Sequence, residues 1–381
     1  MYIAIDGSVI QAHLYGVSRY VYNLTEALAK TVLADDEIVV LYNPDEPTGQ
    51  HRLEDLASLP QVALRPASGL GGKVRGPLSL VSQLRQLNVD VFHSPYYISR
   101  LLTNVPSVIT VHDLSTFQPH LGEGFRGRLS QFTAHGELRL LRRAAAVICV
   151  SRAVKEELLR ISDVPADRVR VVYNGVDHRR FHPRYRPEAR QRAALMLGIE
   201  PPYVLVLASP EPRKNIGGVL RAYARLPREK LPKLVLAGAA DWGHGPIYRI
   251  VQELGLEPHV RFTGYVPETI LPDLYSGARL FVLPSLYEGF GLPVLEALAC
   301  ATPVVASNRG GIPEVAGDAA ILVDPESRDA IAMPISLPIS VDSGPDRARS
   351  NCLPRASAVR PSLLRERTAK ETRDVYESVM S

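Results

Sequence analysis

The chain has 381 residues, 46% of them hydrophobic, and a formal net charge of +4. This length exceeds the size at which a single core usually stops growing, so two packed domains are expected. The mild, dispersed charge argues against nucleic-acid binding, and no apolar run approaches the ~20 residues that cross a bilayer. Three scattered cysteines and the absence of a signal-peptide pattern at the N-terminus predict a cytoplasmic location.

Short β-branched apolar runs alternate with longer helical patterns, which is typical of parallel sheets buried on both faces. In the first half, strands are predicted at 3–6, 38–42, 89–93, 107–112, 146–151 and 169–176. After a stretch rich in Pro, Arg and His at 178–202, further strands are predicted at 203–209, 233–239, 260–266, 279–285, 302–307 and 319–324. The pattern therefore predicts an α/β protein with two doubly wound, Rossmann-like domains. Since such sheets bind ligands at the carboxyl ends of their strands, we expect the domains to face a central cleft.

The segment 331–362 departs from this alternation, because it carries five prolines and no helical periodicity. A proline inside a helix costs about 3 kcal/mol, so we expect no ordinary helix there and a disordered segment. Helical spacing resumes near Leu363, and a terminal helix is predicted over 365–381.

The most informative motif is SLYEGFGLPVLEALACATPVVAS at 285–307. It is typical of a strand end, a glycine turn and a helix that Pro293 can start at its first position. The N–H groups and the positive dipole end of such a helix favour an anion, and glycines let the backbone approach it. The motif therefore predicts a diphosphate site at the backbone amides of Phe290, Gly291 and Leu292.

Charged side chains near this turn suit a sugar bound through phosphate. Arg213 and Lys214, in SPEPRKN at the end of a predicted strand, can neutralise a departing diphosphate. Glu288 can accept a hydrogen bond from a sugar hydroxyl, and Glu296 can do so from a ribose diol. No D-x-D pair is present to chelate a metal ion between phosphates, so we expect no metal ion or other cofactor.

The motif E-G-F-G-L-P-x-x-E, followed by P-V-V-A-S, resembles the E-x7-E signature of retaining glycosyltransferases of the GT-B fold, glycosyltransferase family 4. The order of the other motifs is also similar, over residues 1 to about 330. The resemblance implies that residues 1–180 form an acceptor-side domain and 181–364 a donor domain. It also implies that the helix at 365–381 returns to the first domain.

The resemblance further assigns roles to individual residues. It implies that Arg213 and Lys214 contact the donor phosphates, that Gly16 lies in a loop near the donor, and that His112 lies by the donor sugar or its phosphate. Glu314, in GGIPEV, is expected at the base or the ribose, although helix capping explains it nearly as well. Acceptor contacts are expected from the first glycine loop and from the strand end DVFHSPYY, at Ser18, His93, Ser94 and Tyr96.

The resemblance also implies the reaction, which is transfer of a hexose from a GDP- or UDP-linked donor with retention of anomeric configuration. Similarity to mannosyltransferases favours mannose, with a saccharide or lipid-linked saccharide acceptor in surface polysaccharide biosynthesis. An arginine-rich stretch is read either as a solvated helix face or as a peripheral contact with the inner face of a membrane. It comprises Arg126, Arg128, Arg139, Arg142 and Arg143.

Two other functions stay open at this point. A sugar-nucleotide epimerase can have the same architecture, and the unusual segment 331–362 would suit a non-catalytic nucleotide-sugar-binding protein. A nicotinamide-dependent oxidoreductase is not supported, because no G-x-G-x-x-G follows the first strand.

Overall fold

The computed structural model describes residues 1–11, 14, 16–31, 33, 35–45, 49–67, 77–95, 105–118, 138–209, 211–238, 245–337 and 363–380. Its contacts divide the chain into two compact units. The N-terminal unit comprises Met1–Gly175 with Pro361–Ser381, and the C-terminal unit comprises Val176–Arg360. The chain thus leaves the first unit and later returns to it.

The N-terminal unit is built on a parallel sheet of seven described strands, in the order β3-β2-β1-β4-β5-β6-β7. The strands are β1 Tyr2–Asp6, β2 Glu37–Tyr42, β3 Val62–Pro66, β4 Val91–Ser94, β5 Ser107–Val111, β6 Ala146–Cys149 and β7 Val169–Val171. The helices of this part of the chain whose two ends are described are α1 Gly16–Ala29, α2 Gln50–Ala57, α3 Pro77–Leu87 and α4 Arg152–Ile161. Strands β4, β5 and β6 are buried throughout, which is why their sequences are continuous apolar runs.

The C-terminal unit has a parallel sheet of six described strands, in the order β10-β9-β8-β11-β12-β13. The strands are β8 Tyr203–Ala208, β9 Lys233–Gly238, β10 Val260–Gly264, β11 Leu280–Leu283, β12 Val304–Ser307 and β13 Ile321–Val323. The helices are α5 Arg186–Leu197, α6 Ile216–Tyr223, α7 Pro246–Glu253, α8 Leu271–Gly277, α9 Leu292–Ala299, α10 Ile312–Ala316 and α11 Arg328–Ser336. Both sheets confirm the α/β class and the doubly wound order expected from the sequence.

The last helix, α12 Arg365–Met380, packs into the N-terminal unit. Ala369 and Tyr376 are fully buried in the core that α1 and the central strands form. The hydroxyl of Thr368 donates a hydrogen bond of 2.7 Å to the carbonyl of Tyr173. At Gly175 a Cβ atom would lie 2.3 Å from the backbone of Arg365, so only glycine lets the start of α12 come this close.

Helix α11 corrects the expectation that no ordinary helix follows residue 330. It continues through Ser336 with Pro334 inside it, and the side chain of Ser327 caps its start by accepting from the amide of Ala330. Pro334 cannot donate to the preceding turn, which costs about 3 kcal/mol. Ile331 and Ile335 offset this cost, because both are buried in the core of the C-terminal unit, at about 1.5–3 kcal/mol for each side chain.

The rest of that unusual segment, residues 338–362, lies outside the described residues. Within the part of the chain that is described, no helix combines the length and the apolar character that crossing a membrane requires.

Candidate active site

Four loops of the C-terminal unit meet at one edge of its sheet. They follow β8, β11, β12 and β13, which are consecutive neighbours in the sheet. Because the carboxyl ends of parallel strands share one edge, side chains from these loops come together there. They carry the PRK turn at 212–214, the glycine turn at 288–291, the Gly310–Gly311 pair and the acidic segment 324–326.

An ion cluster joins the first two of these loops. The Nζ of Lys214 lies 2.5 Å from Oε1 of Glu288, and Nη1 of Arg213 lies 3.3 Å from Oε2 of the same carboxylate. The hydroxyl of Ser285 donates to Oε1 of Glu288 at 2.9 Å. All three charged side chains are largely buried, with 19% of Arg213, 12% of Lys214 and 9% of Glu288 exposed. The sequence predicted the charged members of this cluster, and the structure brings them together.

Glu211 is a fourth charged member, which the sequence did not indicate as a site residue. Its Oε2 lies 2.7 Å from Nε of Arg213, and Ser209 donates a hydrogen bond to its other oxygen. Burial acts to raise the pKa of Glu211, but the hydrogen bond from Ser209 and the charge of Arg213 outweigh it and lower the pKa. With Lys214 and Glu288, the cluster therefore holds two cations and two carboxylates.

The glycine turn after β11 has a backbone that only glycine supports. Gly291 precedes α9 with φ of 99°, a conformation that side chains with a Cβ rarely adopt. The pair at 310–311 packs on the turn: a Cβ at Gly310 would lie 2.3 Å from the carbonyl oxygen of Glu288, and one at Gly311 would lie 2.2 Å from that of Gly289. The amide of Gly311 also donates to the Glu288 carbonyl at 2.9 Å. The backbones of the two loops thus pack directly on each other.

The remaining predicted residues of this unit lie around the turn. Phe290 is 4% exposed and Glu296 is 2% exposed, whereas Leu292 and Glu314 are partly exposed. The hydroxyl of Tyr275 donates to Oε2 of Glu296 at 2.9 Å. Tyr275 belongs to no motif, so its contact with Glu296 could not be found from the sequence.

In the N-terminal unit, the described residues that the sequence predicted for the site lie on α1, in β4 and directly after β5. Gly16 starts α1 with φ of 44°, and no atom of the described part of the chain lies within 4 Å of the place where its Cβ would stand. Ser18 lies on the same helix and is 7% exposed. Tyr96 lies outside the described residues.

His93 has a core position instead of the predicted acceptor contact. It is fully buried in β4, as is Ser94. Both of its ring nitrogens are engaged, because Nε2 lies 2.8 Å from the hydroxyl of Thr110 and Nδ1 lies 2.5 Å from that of Tyr376. Burial, with a smaller effect of His112, lowers the pKa of His93 to about 3. We therefore assign it a structural role.

His112 follows β5 directly and packs edge-on against the ring of Tyr20, with centroids 4.5 Å apart. Burial lowers the pKa of His112 to about 4, against the charge of Asp113 and a hydrogen bond with the backbone of Pro95, which both raise it. Its buried Nε2 has no hydrogen-bond partner among the described residues. A neutral imidazole that donates one N–H leaves its other nitrogen as an acceptor, so Nε2 suits a hydroxyl better than a phosphate.

No group of three or more His, Cys, Asp or Glu side chains in the described ranges is arranged to hold a metal ion. The groups that the described site presents are two cations, two carboxylates and the backbone of a glycine turn.

Two parallel α/β units, with an ion cluster and a glycine turn at the strand ends of the second, define a glycosyltransferase of the GT-B fold. Residues 15–180 match the model for Glycosyltransferase Family 4, and residues 188–350 match that for Glycosyl transferases group 1. The chain belongs to glycosyltransferase family 4. This confirms the family and the fold expected from the sequence.

Individual relatives agree with this assignment. The chain is 36% identical over 277 residues to O-antigen chain mannosyltransferase B of Escherichia coli, covering 72% of this chain and 71% of that protein. It is 30% identical over 336 residues to alpha-maltose-1-phosphate synthase of Mycolicibacterium smegmatis, covering 84% and 86%. The crystal structure of Anabaena HepE in complex with UDP and glucose superposes with a TM-score of 0.72 and 21% identity over 99% of each chain.

Proposed function

We propose that the chain transfers a hexose, mannose, from a nucleotide-sugar donor to a saccharide or lipid-linked saccharide acceptor, with retention of anomeric configuration. One observation carries this proposal. Lys214 and Arg213 converge on Glu288 at the first residue of the glycine turn, which places two cations beside a backbone suited to phosphate.

The charges of the cluster suggest how a donor is bound. As the sugar–phosphate bond breaks, positive charge develops at the anomeric carbon and negative charge on the diphosphate. Two cations that were already fixed in place stabilise the departing diphosphate without reorganisation. The carboxylates of Glu211 and Glu288 balance these cations, so we propose that the diphosphate replaces a carboxylate at one cation. Glu288 then turns to a sugar hydroxyl, and Glu296 accepts from the ribose.

Retention follows in this proposal from attack on the face that the diphosphate leaves. The acceptor hydroxyl loses its proton to an oxygen of the leaving phosphate, so no protein base is required. In the N-terminal unit, Gly16 lets the backbone come close to the donor. Nε2 of His112 accepts a hydrogen bond from a hydroxyl of the donor sugar. Ser18 and Tyr96 stay predicted acceptor contacts.

The donor and the acceptor are chosen from the relatives. The similar protein of Escherichia coli is named an O-antigen chain mannosyltransferase, which supports mannose and a growing surface polysaccharide. The structural neighbour HepE was solved with UDP and glucose, which keeps a UDP-linked donor beside GDP-mannose. We propose that Arg213 and Lys214 replace a metal ion at the diphosphate, so the reaction proceeds without one.

The test is a transfer assay with purified protein, GDP-mannose or a UDP-hexose, and a panel of saccharide and lipid-linked acceptors. We expect a product with the donor's anomeric configuration, read from its NMR coupling constants, and an unchanged rate in excess EDTA. Release of an epimerised sugar nucleotide, or binding without transfer to any acceptor, would overturn the proposal. An inverted product or a loss of rate in EDTA would overturn the retaining or the metal-independent part.

We also propose a peripheral membrane contact through basic residues of the N-terminal unit. Arg139, Arg142 and Arg143 are exposed, and each such side chain near an anionic surface contributes about 1 kcal/mol. Arg126 and Arg128 lie outside the described residues. Sedimentation with phosphatidylglycerol vesicles, but not with phosphatidylcholine vesicles, is the expected result. Equal sedimentation with both would contradict the contact.

A further inference from the structure

The side chain of Asn215 has an unusual position at the start of a helix. Asn215 follows Lys214 directly and precedes α6, with φ of 56°. An asparagine in this place ordinarily accepts a hydrogen bond from an amide of the first turn, but Asn215 makes no such bond. Its Nδ2 instead donates to the carbonyl of Pro284 at 3.1 Å and to that of Pro325 at 2.6 Å. One side-chain amide therefore joins loops that follow three different strands.

Each of the two loops whose carbonyls accept a hydrogen bond from Asn215 leads into the candidate site. Pro284 directly follows β11 and precedes the turn that carries Glu288. Segment 324–326 follows β13. Its two acidic side chains, Asp324 and Glu326, lie 2.9 Å and 2.5 Å from Nη2 of Arg309. Arg309 immediately precedes Gly310, which packs on the carbonyl of Glu288. Asn215 is thus bonded directly to one loop of the ion cluster and indirectly to the loop that packs beneath it.

Two further details describe the surroundings of the Asn215 side chain. The amide of Leu286 donates to the carbonyl of Arg213 at 2.7 Å, so the two loops also meet through their backbones. In α6, a Cβ at Gly218 would lie 2.2 Å from Oδ1 and 2.8 Å from Nδ2 of Asn215. Only glycine at 218 leaves the amide of Asn215 room in the orientation that reaches both carbonyls.

We propose that Asn215 is a positioning residue of the nucleotide-sugar site. Asn215 fixes the loop that carries Arg213 and Lys214 to the loop that carries Glu288. It thereby sets the distance between the cations that receive the diphosphate and the carboxylate of Glu288. Asn215 acts through Lys214 and has no contact of its own with the donor. This inference rests on the proposed function, because it assumes that the cluster binds a nucleoside diphosphate.

The test is a double-mutant cycle with GDP and UDP as probes and calorimetry as the measurement. Asn215→Gly keeps the left-handed backbone and removes only the side chain. We expect it to weaken the better-bound nucleotide about tenfold, as Lys214→Met also should. If Asn215 acts through Lys214, Lys214→Met in the Asn215→Gly background will weaken binding less than threefold further. Multiplying losses, or an unchanged affinity in Asn215→Gly, would overturn the proposal, since a purely structural role predicts no coupling.

Asn88→Gly is the matched control for the backbone. Asn88 has φ of 52° and is exposed in the N-terminal unit. The substitution makes the same change of residue type far along the chain from the cluster. We expect the affinity of Asn88→Gly for either nucleotide to equal that of the parent protein.

A second pair of variants serves if Asn215→Gly does not fold. Gly218→Ala places a methyl group against the amide of Asn215, whereas a Cβ at Gly217 meets the movable end of Arg221 at 2.9 Å. Both changes raise helix propensity equally. We expect Gly218→Ala to bind the nucleotide about tenfold more weakly than Gly217→Ala. Equal affinities of the two variants would contradict the role of Asn215.

The same measurements separate the two proposals. If the parent protein binds neither GDP nor UDP, or if Lys214→Met binds as the parent does, the proposed function fails. If Lys214→Met loses affinity while Asn215→Gly and Gly218→Ala do not, only the positioning role of Asn215 fails.

Discussion

Glu288 has two roles at the scale of a single residue, because it pairs with cations that the diphosphate also needs. Its carboxylate lies 2.5 Å from Lys214 and 3.3 Å from Arg213. Substitution therefore has opposite effects on binding and on transfer. It frees positive charge for the diphosphate, and it removes the group that positions the sugar.

Glu288→Gln should lower the rate of transfer about 100-fold, the size expected for loss of one fixed polar group in a transition state. The affinity for GDP or UDP should stay equal or rise, because an anion that competes for Lys214 is gone. Initial rates and calorimetric titration measure the two effects. Glu257→Gln, at an exposed position of the same unit, is the control and should change neither. A parallel loss of affinity and rate would contradict the assignment.

Residue-scale predictions succeeded where the signal is local. A serine directly before a helical pattern is typical of an N-cap, and the hydroxyl of Ser151 accepts from the amide of Val154 at 3.1 Å. His93 was assigned to an acceptor contact because it ends a strand, yet strand ends also face neighbouring helices. Its partner Tyr376 lies 283 residues away, and no local pattern carries that information.

The loops at 288–291 and 310–311 belong to the element scale, because their backbones pack directly on each other. A side chain at position 311 must displace the carbonyl of Gly289, which lies 2.2 Å from the site of a Cβ. Gly311→Ala should therefore cost about 1–3 kcal/mol of stability and raise the KM for the donor, since the glycine turn moves.

Chemical unfolding and donor kinetics measure these two effects of Gly311→Ala. Gly245→Ala is the control, because no atom of the described residues lies within 4 Å of its Cβ position. A Gly311→Ala variant with the KM of the parent would show that the turn does not contact the donor.

The burial of His93 in β4 makes the stability of the protein depend on pH. His93 has an ordinary pKa near 6.5 in the unfolded chain and a pKa of about 3 in the folded protein. As pH falls below 6.5, the imidazole takes up a proton in the unfolded chain first. The free energy of unfolding that depends on a neutral His93 is therefore fully present above pH 7 and is lost as pH falls toward 3. At pH 5 the loss is about 2 kcal/mol.

Urea unfolding at pH 7 and pH 5 measures this loss. His112, whose folded pKa is about 4, adds a loss of the same sign. His93→Gln should be less stable at pH 7 but should lose less between the two pH values than the parent does. His51→Gln, at an exposed position, should retain the full loss. The same pH dependence in His93→Gln and the parent would refute the explanation.

Most elements could be predicted from the sequence because buried parallel strands are continuous apolar runs. Strand β3 was missed. Its sequence VALRP is short and ends in proline, and its residues are at most partly buried at the edge of the sheet. Helix α11 was missed because Pro334 argues against a helix in the sequence. In the structure, the burial of its apolar face in the core supports the helix nevertheless.

At the scale of the whole molecule, α12 makes the N-terminal unit discontinuous in sequence. Tyr376 is fully buried there, whereas Met380 at the end of the same helix is 38% exposed. Tyr376→Ala should cost about 3–5 kcal/mol, and the loss should fall on the unit that contains it. Calorimetry should show the unfolding transition of the N-terminal unit at a lower temperature and that of the C-terminal unit unchanged.

Met380→Ala is the control and should leave both transitions in place. Should Tyr376→Ala shift both transitions equally, the two units would unfold together, and their separation by contacts would not describe their stability.

Three of the four charged members of the candidate site were predictable, because side-chain chemistry can be read from motifs; Glu211 was not predicted. Arg213, Lys214 and Glu288 come together as expected. Their supports were not predictable. The amide of Asn215 and the hydroxyl of Tyr275 act across 110 and 21 residues of chain, and neither residue type is specific to such a role.

The return of the chain to its first unit also sets an order of synthesis. The ribosome completes Val176–Arg360 before it makes α12, so the core position that Tyr376 occupies is open to water throughout that interval. A nascent chain at this stage exposes the surface of α1 that its own last helix later covers, and chaperones that bind apolar segments have their target there.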